Sequence, residues 1–525
     1  MEKLSLVPLP SSVEETGGSF RLEPDAAIGF EGPASAREIA ELLAGSLRPA
    51  TGFALPVREG AAALRLVQAA PDPAPDDAGF LPEAYSLEVG AGGVRISAAT
   101  SWGLARGVQT LRQLFPPEIY AADVRPGVAW EAPCVRVEDA PECRWRGLML
   151  DSSRHFWSVD DVCRFVELMA QHRMNVFHWH LTDDQGWRVE IKKWPRLAEV
   201  GSVRRETLVG KLDSWPHRFD GKPYGGCYSQ ADLRRVVEFA ARRRVVVVPE
   251  IDMPGHMCAA IAAYPELGCG EWARPEVRTF WGISQHVLNM EESTLEFCKD
   301  VWSEMMDVFP SRFLHVGGDE APRREWEESR RAQELMAARG LSRPEQLQAW
   351  FTGKLDAFFR SRGRRLVGWE EILEGGVAPS AAFFAWRIGS RGWGYVNDAV
   401  RAGHDLVFAP TTHAYFDYYQ DEPVGEEPMA IGGLVPTSKV YSFSPRLTAV
   451  PPEAAARVLG AQGQLWTEYV ATRDRLDYMA YPRSCALAEV LWTPPERRRY
   501  SDFLARLAAH RARFAVQGVA AHPRP

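Results

Sequence analysis

The sequence predicts an α/β protein, a (β/α)8 TIM barrel preceded by a smaller α+β accessory domain. From about residue 138 onward, short apolar runs alternate with segments of helical spacing, which is typical of repeated βα units. There are eight such runs, the number of parallel strands in a (β/α)8 barrel. Acids, histidines and tryptophans follow these runs, at the strand ends where such barrels form their sites.

Residues 1–137 show a different pattern and are predicted to form the accessory domain. Residues 85–89 and 94–98 alternate between apolar and polar side chains, as half-buried strands do, and a glycine-rich turn joins them. Residues 104–114 carry apolar side chains at helical spacing. Acids, histidines and nucleophiles do not gather in this part, so we expect no active site here.

Residues 138–525 are predicted to form the barrel. The strands are expected at residues 147–150, 175–181, 245–251, 313–316, 365–368, 382–385, 405–409 and 461–465. Ser158, followed by two acids, has the pattern of a helix N-cap, and residues 500–516 form an amphipathic pattern that predicts a closing helix.

Charge and hydropathy restrict the partners. The formal net charge is -8 and the isoelectric point is about 5.9, which argues against nucleic acid or an anionic membrane as a partner. No apolar run approaches the length of a membrane span. The first residues lack the apolar core of a signal peptide, so we expect a cytoplasmic protein or a processed secreted form.

The predicted fourth strand ends in Gly317, Gly318, Asp319 and Glu320. Two neighbouring acids at a strand end are costly to hold together unless one is charged and the other protonated. An isolated pair of this kind would more often be a solvated strand end. Polar and aromatic residues also accompany each of the other seven strands, and this recurrence favours a functional rim. These residues are Asp151, His178, His180, Asp183, Asp184, Glu250, Asp252, His256, His315, Trp369, Glu370, Glu371, Trp386, His413, Tyr415, Asp417, Trp466 and Glu468.

Carboxylates beside tryptophans suit a neutral, polyhydroxylated ligand. Carboxylates accept hydrogen bonds from hydroxyl groups, and indole faces pack against the C–H faces of a sugar ring. Cleavage of a glycosidic bond requires a protonated carboxyl beside the leaving oxygen. We expect Glu320 to be this acid, with a pKa raised by burial and by Asp319.

Four long motifs in order identify a family. Residues 146–156, 178–188, 248–256 and 315–320 resemble the signature motifs of family-twenty glycoside hydrolases, the β-N-acetylhexosaminidases. Residues 1–135 resemble the accessory domain that precedes the barrel in that family. The resemblance therefore extends over nearly the full chain.

The resemblance implies an exo-acting, retaining enzyme that removes terminal β-linked N-acetylglucosamine or N-acetylgalactosamine from an oligosaccharide or glycoconjugate without a metal or other cofactor. The 2-acetamido oxygen of the substrate would attack the anomeric carbon and form an oxazolinium intermediate. Asp319 would orient the acetamido group and stabilise its positive charge. Glu320 would protonate the leaving oxygen and then activate water.

The resemblance also implies roles for nine further residues. Asp183 and His256 would support Glu320, and three tryptophans would form an apolar box around the acetamido methyl group. The remaining side chains would hydrogen-bond the sugar. In sequence order, the nine residues are Arg146 (sugar hydroxyls), Asp183, His256, Trp369, Trp386, Tyr415 (acetamido oxygen), Asp417 (hydroxyls), Trp466 and Glu468 (hydroxyls).

Two other functions compete with this interpretation. A metal-dependent hydrolase could use His178, His180, Asp183, His256 and His315 as ligands. A non-catalytic sugar-binding protein on the same scaffold would be expected to lack the acid that Glu320 supplies. We expect at most one of His178 and His180 to face the barrel interior, and both to be structural or to support residues that touch the ligand. The sequence leaves open the choice between the two amino sugars, the aglycone, the oligomeric state and the balance between hydrolysis and transglycosylation.

Overall fold

In a computed structural model, the chain forms a mixed β-sheet followed by a closed parallel barrel. The structure describes residues 4–270, 275–388, 392–445 and 450–524. None of the helices within these ranges is both long enough and apolar enough to cross a membrane.

The first part of the chain is a seven-stranded sheet in the order β1-β7-β5-β6-β4-β2-β3. The predicted hairpin is confirmed, because Leu87 lies opposite Ile96 in an antiparallel pair. The predicted helix is also confirmed; it begins at Ser101, where the Thr100 side chain accepts a hydrogen bond from the backbone of Gly103. The strands are β1 (Ser12–Arg21), β2 (Ile28–Glu31), β3 (Val57–Glu59), β4 (Leu64–Gln68), β5 (Tyr85–Gly90), β6 (Gly93–Ala98) and β7 (Glu131–Asp139).

The second part is a closed eight-stranded parallel barrel, and each of its strands coincides with one of the predicted runs. Its strands are β8 (Trp145–Asp151), β9 (Val176–His180), β16 (Val246–Glu250), β17 (Phe313–His315), β18 (Arg365–Trp369), β19 (Ala382–Ala385), β20 (Leu406–Phe408) and β21 (Val458–Leu465). Six two-residue strands lie between β9 and β16: β10 (Thr182–Asp183), β11 (Gly186–Trp187), β12 (Val203–Arg204), β13 (Leu208–Val209), β14 (Arg218–Phe219) and β15 (Tyr224–Gly225).

Helices connect the barrel strands and also pack on the first sheet. Ser158 caps its helix as predicted, since its side chain accepts a hydrogen bond from the backbone of Asp161, and the closing helix spans the predicted residues. The α-helices are Ala34–Thr51, Ser101–Leu114, Val159–Gln171, Arg196–Glu199, Gln230–Arg242, Cys258–Ala263, Glu292–Val308, Arg324–Glu328, Arg330–Ala338, Pro344–Ser361, Gly394–Arg401, Thr411–Ala414, Thr437–Ser442, Arg473–Ala480, Arg483–Trp492 and Tyr500–Val516.

Large apolar side chains fill the amino-terminal end of the barrel. Trp145, at the start of β8, packs edge-on against Phe313 and Phe384, with ring centroids 5.6 and 5.5 Å away. Phe80, from the loop before β5, covers Trp145 at 6.0 Å. At the opposite end the register aligns Glu250 with His180 on one side and His315 on the other. Polar side chains therefore meet at the carboxyl ends of the strands.

Candidate active site

A tight turn after β17 directs the two neighbouring acids. Gly317 and Gly318 have φ angles of 64° and 91°, and Glu320 has a φ of 47°. A Cβ atom at Gly317 would lie 1.7 Å from Asp252 Oδ1, which accepts a hydrogen bond from Gly318 N at 3.0 Å. Glycine is therefore required for this approach. A positive φ at a glutamate costs about 1–3 kcal/mol and is found mainly at functional sites.

Asp319 and Glu320 lie in different electrostatic environments. Burial raises the pKa of Asp319 to about 6, and its Oδ1 atom has no hydrogen-bond partner among the described residues. Burial also raises the pKa of Glu320, but the hydrogen bond and charge of His256 lower it by more, so the net shift is downward. The expectation that Glu320 has the raised pKa is therefore wrong for this structure. Of the two carboxyls, Asp319 is the one whose pKa is raised.

Arg154, Asp183 and His256 form a charged chain behind the acids. Arg154 Nη2 lies 2.7 Å from Asp183 Oδ2, and His256 Nδ1 lies 3.1 Å from Asp183 Oδ1. Burial lowers the pKa of His256, but the charges of Asp183 and Asp252 outweigh it and raise the pKa well above its usual value. His256 Nε2 lies 3.7 Å from Glu320 Oε2 and 3.9 Å from Asp319 Oδ2. A protonated imidazole thus faces both acids.

A second buried cluster surrounds Glu250. Its carboxylate lies 3.0 Å from His178 Nε2, 2.5 Å from His180 Nδ1 and 3.0 Å from His315 Nδ1, and it accepts a hydrogen bond from Trp369 Nε1 at 2.8 Å. His178 and His180 therefore both face Glu250. The expectation that at most one faces inward is wrong, because residues two apart on a strand share a face. Both histidines are fully buried.

The geometry does not favour the metal cluster of the competing metal-dependent hydrolase. Both ring nitrogens of His180 are used, since Nε2 lies 2.9 Å from Asp183 Oδ2 and Nδ1 contacts Glu250. The neighbouring carboxylates raise the pKa of His180 well above its usual value despite its burial. A protonated imidazole has no lone pair for a metal, and the Arg154 guanidinium already neutralises Asp183. His180, Asp183 and Arg154 are therefore engaged with one another and with Glu250 instead.

Four aromatic side chains meet at the same rim. The rings of Trp369 and Trp466 are 5.9 Å apart, and Trp386 stacks on Tyr415 at 6.2 Å with planes 22° apart. The indole N–H groups of Trp369 and Trp386 donate to Glu250 and Glu371. With these polar atoms satisfied, the surface that the two indoles add to the rim is apolar.

Asp417 and Glu468 are buried acids with unused acceptors. Asp417 Oδ1 and Glu468 Oε2 have no hydrogen-bond partner within the described ranges. Burial raises the pKa of Asp417 well above its usual value, and the charge of Glu468 adds to this shift. Buried oxygens without partners are costly, and ligand hydroxyl groups would satisfy them.

Arg146 lies away from this rim, and its predicted contact with sugar hydroxyls is wrong. It stands near the start of β8, at the amino-terminal end of the barrel, fully buried, and Nη2 lies 2.7 Å from Glu83. Its other guanidinium nitrogens donate to the backbone carbonyls of Cys143 and Arg173. The arginine at the rim is Arg154, from the same motif, and its guanidinium lies 5.0 Å over the Trp466 ring. Its position after the strand, rather than before it, is the signal that identifies it.

Two acids to which the sequence gave no role also belong to the site. Asp252 holds the glycine turn, and its Oδ2 atom has no hydrogen-bond partner in the described part of the chain. Burial raises the pKa of Glu371 to about 8, and the charge of Asp319 adds to the effect. Glu371 accepts the Trp386 indole N–H at 3.1 Å and lies 2.9 Å from Arg387. The repeated acids after Trp369 were the only sequence signal for Glu371.

Two family models match the chain. The model of the glycosyl hydrolase family 20 catalytic domain matches residues 143–495, and the model of domain 2 of that family matches residues 3–140. Together they extend from the first sheet through the barrel.

Named relatives and solved structures agree with these models. A β-hexosaminidase of Porphyromonas gingivalis is 38% identical over 528 residues, which cover 99% of this chain and 64% of the relative. The chain thus spans less than two-thirds of that protein's length. The family-20 β-N-acetylhexosaminidase of Streptomyces coelicolor has a TM-score of 0.84 at 33% identity, covering 99% of this chain and 98% of that one. The N-acetyl-β-hexosaminidase of Streptomyces plicatus, solved with thio-NAglucal, has a TM-score of 0.84 at 34% identity, covering 99% and 97%.

Proposed function

Because the chain belongs to glycosyl hydrolase family 20, we propose that it is an exo-acting, retaining β-N-acetylhexosaminidase. Its substrate would be a terminal, non-reducing, β-linked N-acetylglucosamine or N-acetylgalactosamine. One observation carries the proposal: Asp319 and Glu320 lie side by side at a rim whose apolar surface comes from Trp369, Trp386 and Trp466.

The acids suit catalysis by the substrate's own acetamido group. Their backbone positions are adjacent, and His256 Nε2 lies within 4 Å of both carboxylates. A site in which one acid serves as nucleophile places its two carboxyls on opposite sides of the scissile bond, about 5 Å apart. An internal nucleophile removes this requirement, since only one acid has to reach the leaving oxygen.

Asp319 would bind the acetamido nitrogen and stabilise the positive charge of the oxazolinium ion. Its Oδ1 atom is a buried acceptor without a partner among the described residues. With a pKa of about 6, the carboxyl is mainly ionised at neutral pH, so it presents negative charge where positive charge develops. Tyr415, whose hydroxyl interacts with Trp466, would hydrogen-bond the acetamido oxygen.

Glu320 would protonate the leaving oxygen and then activate water. Its carboxylate is ionised in the resting site, so the required proton has to arrive with the substrate or from a neighbour. His256, whose pKa despite its burial is raised well above its usual value by Asp183 and Asp252, lies 3.7 Å away, and a shorter contact in the substrate complex would let it supply the proton. A bound sugar would cover the side chain of Glu320, which is 34% exposed, and this burial would raise its pKa toward that of an acid.

The remaining contacts would select the sugar. Asp417 and Glu468 would bind hydroxyl groups of the sugar, since each has a buried oxygen without a hydrogen-bond partner among the described residues. Arg154, rather than Arg146, would bind the sugar hydroxyls, because it lies at the rim between Asp183 and Glu468. Its Nη1 atom is 4.0 Å from Glu468 Oε1.

The deciding experiment compares two chromogenic substrates, an aryl β-N-acetylglucosaminide and the matching β-glucoside. We expect rapid release of the aryl alcohol from the first and at least a hundredfold slower release from the second, since the glucoside lacks the internal nucleophile. Equal turnover of both would contradict substrate assistance. No turnover of either would contradict the proposed activity.

Two variants test the separate roles of Glu320 and Asp319. Glu320→Gln should lose about 10²–10⁴-fold in kcat on aglycones that need a proton and much less on activated aryl groups. Asp319→Asn should slow the first step on every aglycone. A uniform loss in Glu320→Gln, or near-normal rates in Asp319→Asn, would contradict these assignments. Unchanged activity after chelator treatment is expected, and loss of activity would favour the metal-dependent alternative.

A further inference from the structure

The loop that follows β9 forms a two-stage hairpin at the rim. At its base β12 pairs with β15, and further out β13 pairs with β14. Arg204 supports the base, because its guanidinium lies 4.3 Å over the Tyr224 ring and 5.4 Å over Trp281. Since loops after barrel strands lie at the carboxyl ends, the hairpin stands on the same side as Asp319 and Glu320.

The tip of the hairpin is fastened to the residue that follows Glu468. The backbone N–H of Leu212 donates to the Tyr469 hydroxyl at 3.1 Å. Tyr469 also lies against Trp281, with ring centroids 6.4 Å apart. Trp215 follows Leu212 by three residues, so their Cα atoms are at most about 10 Å apart. The tip is therefore held beside a wall of the proposed sugar site.

The tip presents one indole to solvent. Trp215 is 84% exposed, which is unusual for a side chain with so much apolar surface. A neighbouring imidazole braces it: His217 packs edge-on at 5.4 Å, and His217 Nε2 donates to Leu212 O at 2.7 Å. His217 in turn lies 6.1 Å from the ring of Phe280.

We propose that Trp215 is a binding platform for the aglycone of the substrate, where its indole stacks on a sugar ring beyond the bond that is cleaved. This proposal rests on the proposed function and adds a second, outer contact to it. The ligand class is an unbranched, neutral oligosaccharide of β-linked amino sugars. Short aglycones would not reach the platform, whereas longer ones would.

The position of the tip favours a sugar chain over a protein partner. Charged side chains of both signs surround the indole, and three apolar side chains of the same hairpin are also exposed: Val209, Leu212 and Phe219. The indole offers a face for the C–H groups of a sugar ring, and the neighbouring charged groups can hydrogen-bond its hydroxyls. Because Leu212 is held by Tyr469, which follows Glu468, this surface lies beside the proposed sugar site.

The test measures kcat and KM for β-linked N-acetylglucosamine oligomers of two to six residues and for the aryl β-N-acetylglucosaminide. In Trp215→Ala we expect KM for the longer oligomers to rise about 3- to 10-fold, as loss of one aromatic contact predicts. The kcat values for all substrates, and KM for the dimer and for the aryl substrate, should change less than twofold. Trp215→Phe should retain most of the affinity, because a flat ring remains. Val124→Ala, at an exposed apolar side chain of the first sheet's domain, is the control.

Each outcome decides the matter. If the dependence of KM on chain length is unchanged in Trp215→Ala, the proposed platform is wrong. It is also wrong if KM for the aryl substrate rises as much as KM for the longer oligomers. If the wild-type protein cleaves none of these compounds, the proposed function fails, and calorimetric titration with the hexamer tests the platform separately: weaker binding in Trp215→Ala supports it and equal binding overturns it. A dimer that dissociates in Trp215→Ala, with unchanged oligomer kinetics, would assign the indole to a contact between two copies of the chain.

Discussion

Removal of the positive charge on His256 should move the activity profile to higher pH. His256 has a φ of 53°, so asparagine is the suitable replacement because it tolerates this backbone conformation. The His256→Asn variant removes the charge that faces both Asp319 and Glu320 and leaves Arg154 and His180 in contact with Asp183.

The size of the shift follows from the distance to Asp319. Two unit charges 3.9 Å apart, the separation of His256 Nε2 and Asp319 Oδ2, interact by about 4 kcal/mol at an effective dielectric constant of about 20. Half of this interaction would raise the pKa of Asp319 by about 1.5 units. From a value of about 6, the pKa would reach about 7.5. At pH 7 the ionised fraction of Asp319 would fall from about nine-tenths to about one-quarter.

The assay is the pH dependence of kcat/KM on the aryl β-N-acetylglucosaminide, which reports the ionisations of the free enzyme. Both carboxyls lose a favourable charge, so both limbs should move up by about one to two pH units, and the deficit at pH 7 should shrink at higher pH. His522→Asn, at a histidine 3.5 Å from Asp421, is the matched control and should leave the profile in place. A loss of the same size at every pH would refute the electrostatic reasoning.

Two further predictions concern the arginines of the first motif and the acid behind Trp386. Arg146→Met should lower the free energy of unfolding by about 3–5 kcal/mol, because it leaves Glu83 buried with one cation fewer, while kcat/KM stays within about twofold. Arg154→Met should lower kcat/KM about a hundredfold through displacement of Asp183 and Glu468. Thermal unfolding and kinetics are measured for both variants. If Arg146 bound the sugar, Arg146→Met rather than Arg154→Met would show the large loss of kcat/KM. Glu371→Ala should raise KM for the aryl substrate about tenfold, since the Trp386 indole N–H loses its acceptor at a cost of about 1–3 kcal/mol. Glu371→Gln keeps an acceptor and should stay within about threefold, and equal effects of the two variants would contradict this role.

The strands of the barrel could be predicted because their physical requirement is local. A parallel strand with a helix layer outside and packed side chains inside needs apolar residues on both faces, and this produces short uniform runs in the sequence. All eight runs are strands of the closed barrel. The convergence of the acids and tryptophans followed from the same reasoning, because parallel strands place their carboxyl ends on one side.

The sequence-based predictions for Arg146 and for His178 and His180 were wrong because these depend on position along a strand and on the face of the strand. Arg146 and Arg154 are eight residues apart in one motif, and only their positions before and after the body of β8 separate a buried structural ion pair from the rim. The sequence contains this information, although motif resemblance alone does not use it. The shared face of His178 and His180 was likewise available from the two-residue period of a strand.

The sequence by itself determined the barrel, the order of its strands and the identity of the acids at its rim. Tertiary structure alone decided how those acids are charged. His256, from the loop after β16, comes within 4 Å of both Asp319 and Glu320, which follow β17, and it stands there protonated because Asp183, after β9, lies on its other side. A pKa depends on burial and on charges a few ångströms away, and neither quantity is a property of the neighbouring residues in the chain.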